Sequence, residues 1–286
     1  MKKVLLQLDS DRMVSSFDAI AAFDSGVDHI LPYGSVMPED VRGLVYGAMF
    51  TRGIEDLKNS AVFIGGSSVA AGEAMLKAAK SSFFGKIRVS LMLDANGCNT
   101  TAAAAVAKIR SRGEVAGKKI VVLAGTGPVG MRAAALLIRE GAEVILSSRH
   151  LERSQSACAS IKERFGVEVS PAEAKDFEAT GRILDGAYAV LCCGAAGVRL
   201  VPEAIWTAHA TLHVLADVNA VPPYGLEGTE ATWDGKEKQG KIIFGAIGIG
   251  GLKMKVHRAS IARLFLQNNL VLDAEEIYAT AKELKS

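Results

Sequence analysis

Short apolar runs rich in Val, Ile and Leu alternate along the chain with longer segments whose apolar residues recur at helical spacing. Strands joined by helical crossovers lie parallel and are covered on both faces, so this alternation predicts an α/β protein with mostly parallel sheet. The predicted strands are 3–8, 28–31, 61–64, 88–93, 119–124, 143–146, 189–193, 211–216 and 241–244. The predicted helices are 16–24, 39–49, 69–80, 100–112, 129–140, 151–165 and 172–184. A helical tail follows over 252–265 and 274–284, with no strand after it. One seam stands out: the helix from Thr100 ends at Gly113, and the loop 114–118 leads into a new βαβ unit. Two lobes are therefore expected, an N-terminal α/β lobe over 1–113 and a Rossmann-type parallel-sheet lobe over 114–251. The C-terminal helices within 252–286 are expected to pack back on the first lobe.

Composition narrows the function classes. A chain of 286 residues with 49% hydrophobic residues can bury a sizeable core. Its 33 basic residues nearly cancel its 31 acidic ones and form no long block, which argues against a nucleic-acid or acidic-membrane partner. The start, Met1-Lys2-Lys3 before Val4-Leu5-Leu6, is interrupted by Gln7 and Asp9 and reads as a first strand rather than a signal peptide. No apolar run approaches the roughly 18 to 20 residues that span a bilayer, so a cytoplasmic location is expected. Cys98, Cys158, Cys192 and Cys193 show no CxxC spacing and are expected to be reduced structural thiols. The five histidines form no HExxH or HxH pattern. His209 and His213 are four apart, but 211–216 is β-rich, so they share no helical face and no metal is predicted.

The sharpest motif is Gly125-Thr126-Gly127-Pro128-Val129-Gly130. GxGxxG alone is weak, but here a buried strand precedes it and an Ala/Leu-rich helix follows it. Gly125 suits the tight turn, Gly127 lets backbone approach a pyrophosphate at the helix N-terminus, and Gly130 lets helix and sheet pack closely. Pro128 at the helix start gives up only an amide hydrogen without an intrahelical partner. Past the next strand, where NAD-binding proteins place a carboxylate on the ribose diol, the chain has Ser147-Ser148-Arg149, with Arg153 close behind. A carboxylate would repel a 2′-phosphate, whereas hydroxyls and guanidinium groups attract it, so NADP is the expected cofactor.

Further segments extend the pattern: Asp94-Ala95-Asn96-Gly97-Cys98-Asn99-Thr100-Thr101-Ala102, the stretch 124–131, Asp217-Val218-Asn219-Ala220-Val221-Pro222-Pro223, and 245–253. With Tyr33-Gly34 early and 273–278 late, the sequence resembles, end to end, the bacterial NADP-dependent methylene-tetrahydromethanopterin dehydrogenases, the type that can also act on methylene-tetrahydrofolate. The resemblance implies oxidation of a methylene group bridging two nitrogens of a reduced pterin carrier, with hydride passing to NADP. Such a step needs alignment and a suitable electrostatic environment more than a strong base. It further implies an active-site lysine matching Lys253, with Lys255 as the nearby competitor, and a homo-oligomer, a trimer being one form. His257, four residues past Lys253, is expected on the same helical face as a supporting or capping group.

Given a pterin substrate, whose amino and ring N–H groups form a donor edge, Asp18, Asp94 and Asp217 are the carboxylate candidates, and spacing does not choose among them. Asp94 and Asp217 each end a predicted parallel strand, where clefts of open α/β sheets lie; an aspartate there can equally be a helix cap. Asn96, Asn99, Thr100 and Thr101, at the start of a helix, can offer amides and hydroxyls, Asn96 and Asn99 to substrate and Thr100 to the cofactor. Asn219 and the Pro222-Pro223 loop are expected near the nicotinamide. Gly65-Gly66-Ser67-Ser68 is a second strand-to-helix glycine loop that could approach substrate or simply connect. Two other readings keep the NADP lobe: a reductase of another carbonyl substrate, which calls for a proton donor such as a Lys–Asp pair, and an NADP(H)-sensing protein without turnover.

Overall fold

Continuous apolar runs, buried on both faces, make the interior strands of two parallel sheets. The computed structural model describes residues 1–284, and these divide into two units: Met1–Thr100 with Met254–Leu284, and Thr101–Lys253. Residues 285 and 286 of the expected C-terminal segment lie outside the described residues.

In the first unit, β1 (Val4–Leu8) pairs with β2 (His29–Tyr33) on one side and β3 (Ser60–Ile64) on the other, and β3 pairs with β4 (Ser90–Leu93), all parallel. Helices α1 (Ser16–Asp24), α2 (Val41–Phe50) and α3 (Val69–Ser81) make the crossovers. Ser15 and Ser68 cap α1 and α3 by accepting the amides of Asp18 and Ala71. Leu6, Leu8, Val45, Met49, Val62, Ile64, Met75, Leu91 and Leu93 form the core between sheet and helices. Truncating one of these leucines to alanine costs about 2–5 kcal/mol through lost transfer energy and the cavity left behind.

Next come α4 (Cys98–Arg110), β5 (Lys119–Leu123), α5 (Pro128–Arg139), β6 (Glu143–Ser148), α6 (Leu151–Phe165), β7 (Ser170–Glu173), α7 (Phe177–Leu184), β8 (Ala189–Cys192), α8 (Glu203–Ala208), β9 (Val214–Asp217), β10 (Asp234–Lys238) and β11 (Lys241–Phe244). The second sheet runs β10-β11-β9-β8-β5-β6-β7, with only β10 antiparallel. Successive strands step outward from β5 through β6 to β7, then from β8 through β9 to β11. The order therefore reverses between β5 and β8, the switch point beside which open α/β sheets bind ligands. Val121, Val190, Leu215 and Ile243 form the core with fully buried Trp206, whose indole N–H donates to the Glu227 carbonyl at 3.0 Å.

The tail adds α9 (Ala246–Arg263), β12 (Val271–Leu272) and α10 (Ala274–Glu283). Two expectations need correction here. Helix α9 starts at Ala246 rather than 252, because Gly245 and Gly248 admit close approach: a Cβ on Gly248 would lie 2.2 Å from the Trp233 carbonyl oxygen. The tail is also not wholly helical: an unanticipated strand, β12, lies between its two helices, pairs with β4 and extends the first sheet. The C-terminal segment from Met254 groups with the first unit, and Asp273 and Glu276 close a capping box at α10.

The units also divide at Thr100, not at Gly113. The start of α4 is tied to the first unit through Asp94, while its body belongs to the second, where Lys108 pairs with Asp234 at 2.7 Å and Arg112 lies 5.3 Å from the Phe244 ring centre. The expected helix over 172–184 is shorter, because Ser170–Glu173 adds an edge strand and Asp176 caps α7. No described helix is long and apolar enough to cross a membrane.

Candidate functional site

The β5–α5 turn is shaped by backbone rather than side chains. A Cβ on Gly130 would lie 2.5 Å from the Gly125 Cα, and one on Gly125 would lie 2.8 Å from a Val122 methyl, so neither position admits a side chain. At Gly127 a Cβ would meet nothing within 4 Å. Gly127 is the N-cap of α5 and supplies no side-chain cap, while Pro128 occupies the first turn. The first-turn amides thus lack a capping side chain, and the space in front of them can take an anion. Thr126, Pro128 and Val129 are partly buried around this turn.

Beside it, a cavity of about 330 Å³ opens along the ends of β5, β6 and β7. Phe177, Val198 and Leu200 give it an apolar wall suited to a planar base. Ser148, Arg149 and Lys175 give it a polar, cationic one, and both cations are exposed. The one carboxylate in the lining, Asp176, is occupied in accepting the Ala179 amide at 2.7 Å. Arg199 lies 5.1 Å from the Phe177 ring centre and pairs with Glu227. The Glu203 amide and then Arg199 hold the Glu227 carboxyl below the usual range. Arg153, expected with Arg149, sits exposed on the first turn of α6 and does not line the cavity.

The first unit has its own glycine loop, and carboxylates surround it. Asp9 is buried and accepts the amides of Asp11 at 2.8 Å and Ser15 at 3.1 Å. Asp11 accepts both the amide and the hydroxyl of Ser67. Gly66 has φ +93°, and a Cβ there would lie 2.3 Å from the Ser10 hydroxyl, so glycine is required. A Cβ on Gly65 would lie 3.5 Å from the Asp18 carboxylate. Exposed Asn96, itself left-handed at φ 53°, donates its amide to the Gly66 carbonyl at 2.6 Å.

Behind this loop, Asp94 accepts the amides of Asn99 and Thr100, each at 3.0 Å, and the Thr100 hydroxyl at 2.7 Å. Asn99 donates to the Leu93 carbonyl at 2.6 Å and to Asp273 at 2.9 Å. Asp94 therefore takes the helix-cap alternative, and Asn99 and Thr100 are buried internal partners rather than the ligand-facing groups expected. Capping the start of α4 uses them up. Asp18 and Asn96 remain the site candidates with surface access: the Asp18 side chain keeps 16% exposure. Among the described residues no group of three or more His, Cys, Asp or Glu could hold a metal ion.

Residues 16–96 match the family described as methylene-tetrahydromethanopterin dehydrogenase, N-terminal, and residues 114–226 match an NAD(P)-binding family. The chain is 50% identical over 285 residues to bifunctional protein MdtA of Methylorubrum extorquens, covering 99% of both chains. It is 30% identical over 293 residues to the NAD(P)-dependent methylenetetrahydromethanopterin dehydrogenase of the same organism, again covering 99% of each. The chain belongs to the methylenetetrahydromethanopterin dehydrogenase family. Among solved structures, quinate dehydrogenase from Corynebacterium glutamicum aligns at TM-score 0.51 and 14% identity over 99% of this chain and 100% of that one. A shikimate 5-dehydrogenase from Mycobacterium fortuitum aligns at 0.51 and 15% over 98% of each. At such identity these two share the fold alone.

In this member of the family, Lys253 is partly buried in the middle of α9 rather than at its start, while Lys255, two residues on, is exposed. Asn219 is buried and serves its own loop: its side chain donates to the Pro223 carbonyl at 3.2 Å and accepts the Val221 amide at 2.9 Å. Asp217 is likewise turned inward, accepting the amides of Asn219 and Leu226, and burial pushes its carboxyl up. Burial, reinforced by Asp217, pushes the Cys192 and Cys193 thiols up as well, which suits inert structural cysteines. Sequence reasoning missed Lys175, Phe177 and Arg199. Two of them are cations in ordinary polar context, and only the packing of the β7–α7 and β8–α8 connections brings all three around one cavity.

Proposed function

We propose that this protein oxidises the methylene bridge of a reduced pterin one-carbon carrier, methylene-tetrahydromethanopterin or methylene-tetrahydrofolate, using NADP. The observation that carries the cofactor half is the cavity beside the glycine turn, where Arg149 and Lys175 stand without an available carboxylate. A 2′-phosphate satisfies those charges, whereas a bare ribose diol leaves them unmatched. When bound, NADP supplies a nicotinamide carbon that accepts hydride.

In this reading the turn 125–130 takes the pyrophosphate on backbone amides, Ser148, Arg149 and Lys175 take the 2′-phosphate, and Phe177, Val198 and Leu200 flank the adenine. The first unit holds the carrier, with Asp18 and Asn96 toward the pterin donor edge. Losing hydride leaves the carrier as a methenyl cation shared between two nitrogens, and no proton has to move. An anionic Asp18 favours that cation, and the resemblance gives Lys253 the part of orienting the carrier. The resemblance supports a homo-oligomer, a trimer being the form to test by light scattering, and a cytoplasmic location.

The deciding assay follows NADPH formation spectrophotometrically with each carrier, with NAD as control. Activity is expected with NADP and at least one carrier; none with either carrier sinks the reading. Lys253→Ala should lower turnover by about tenfold or more, the scale of one charge-assisted hydrogen bond, with NADP affinity nearly unchanged. An unchanged rate removes Lys253 from the mechanism.

A further inference from the structure

His257 lies in the first unit with its side chain wholly buried, between two carboxylates. Its Nδ1 stands 3.1 Å from Asp94 Oδ2, and its Nε2 stands 3.6 Å from Asp18 Oδ1 without a hydrogen bond. The rings of Phe17 and Phe63 pack around the imidazole, with centroids 6.1 and 5.6 Å away.

The hydrogen-bond inventory restricts where the protons can be. Asp94 already receives two amides and a hydroxyl, so it acts as an acceptor, and its bond to His257 requires hydrogen on Nδ1. In a neutral ring that leaves a lone pair on Nε2 pointing at the Asp18 carboxylate, acceptor against acceptor. A separation of 3.6 Å is too short for a water to bridge. One more proton in the gap turns this repulsive contact into an attractive one.

We infer that His257 is a positioning residue that carries a proton on Nε2 toward Asp18, fixing the direction of that carboxylate and keeping it anionic for the donor edge of the carrier. Asp94 is the rear anchor: tied to the start of α4, it holds the ring so that Nε2 can face only Asp18. The positioning role rests on the reading that Asp18 meets the carrier, but the proton itself does not. It belongs to the protein without any ligand.

The experiment takes the full chain labelled with 15N-histidine and records ring nitrogens with no ligand present, assigning His257 by the signal lost in His257→Asn. Protonated nitrogens at both ring positions are expected, and a bare Nε2 overturns the inference whatever the kinetics show. Steady-state measurements then compare two isosteres. His257→Gln sets an amide donor near the Nε2 position, and His257→Asn sets one near Nδ1 only. His257→Asn should raise the carrier KM about tenfold, the scale of losing one close charge pairing, with NADP affinity unchanged, and His257→Gln should recover most of it. Equal losses in both variants, or a parallel loss of NADP affinity, reduce His257 to a packing residue and overturn its positioning role. A protonated Nε2 with carrier KM unchanged in Asp18→Asn removes Asp18 from the carrier, and the positioning role with it. In that outcome the proton stands and the reading of the site has failed.

Discussion

Two strand-to-helix glycine loops, one per unit, share a local plan and differ in charge. At the β5–α5 turn, glycines clear side chains from a helix N-terminus, and the cations Arg149 and Lys175 stand beside it. At the β3–α3 turn, glycines make room for a loop that the carboxylates of buried Asp9 and of Asp11 hold together, with Asp18 beside it. The charges around the first turn suit an anion such as phosphate, and those around the second disfavour one. Glycine spacing therefore reports close backbone approach, while the neighbouring charges decide what approaches. Even the strand-end carboxylate of the second unit fits the contrast, because Asp217 is buried and bound to backbone amides.

The largest test adds a side chain to either turn. Gly130→Val drives its Cβ into the Gly125 backbone and should abolish NADP binding in calorimetry, at about 1–3 kcal/mol of stability by the usual cost of overpacking. Gly66→Val should instead spare NADP binding and remove carrier binding; loss of both ligands in either folded variant would break the division between the loops. Next in size, Arg149→Ala with Lys175→Ala should weaken NADP about 100-fold, the scale of two charge-assisted hydrogen bonds, and leave NAD unchanged. Equal weakening of NAD would mean that these cations do not read the 2′-phosphate.

The smallest effect concerns Asp217. Burial raises its carboxyl in the folded protein, against the pull of the Asn219, Leu226 and Gly225 amides. A raised folded value means that the native state holds the proton more tightly than the unfolded chain does. The associated stability is present at low pH and fades as pH rises through the native value. Urea unfolding across the range from about pH 4, the ordinary carboxylate region, to neutrality should show that decline in the wild type and a flatter profile in Asp217→Asn. A profile unchanged by the substitution would show Asp217 to be ordinarily solvated.

What could be read from the chain follows from burial. Interior strands such as β3, β5 and β8 are covered on both faces and so need unbroken apolar runs. The strands not anticipated, β7, β10 and β12, are all at sheet edges. Asp234–Lys238 is wholly polar and Ser170–Glu173 contains a proline, because an edge strand has one free side and little to bury. Helices α1 and α6 were found to the residue because an amphipathic period and the turn residues around it are both local.

By itself, the sequence determined the α/β class, the dinucleotide turn with its bias toward a phosphorylated ribose, and the family. Each depends on residues close together along the chain, where spacing and geometry are nearly the same thing. Only the tertiary structure decided which polar residues are turned inward. Asp94, Asn99, Thr100 and Asn219 read in the sequence as ligand-facing candidates, but folding buries them in internal hydrogen bonds. It also sets His257 against Asp94, 163 positions away. Whether a carboxylate serves a ligand or its own backbone depends on what packs over it, and those neighbours come from distant parts of the chain.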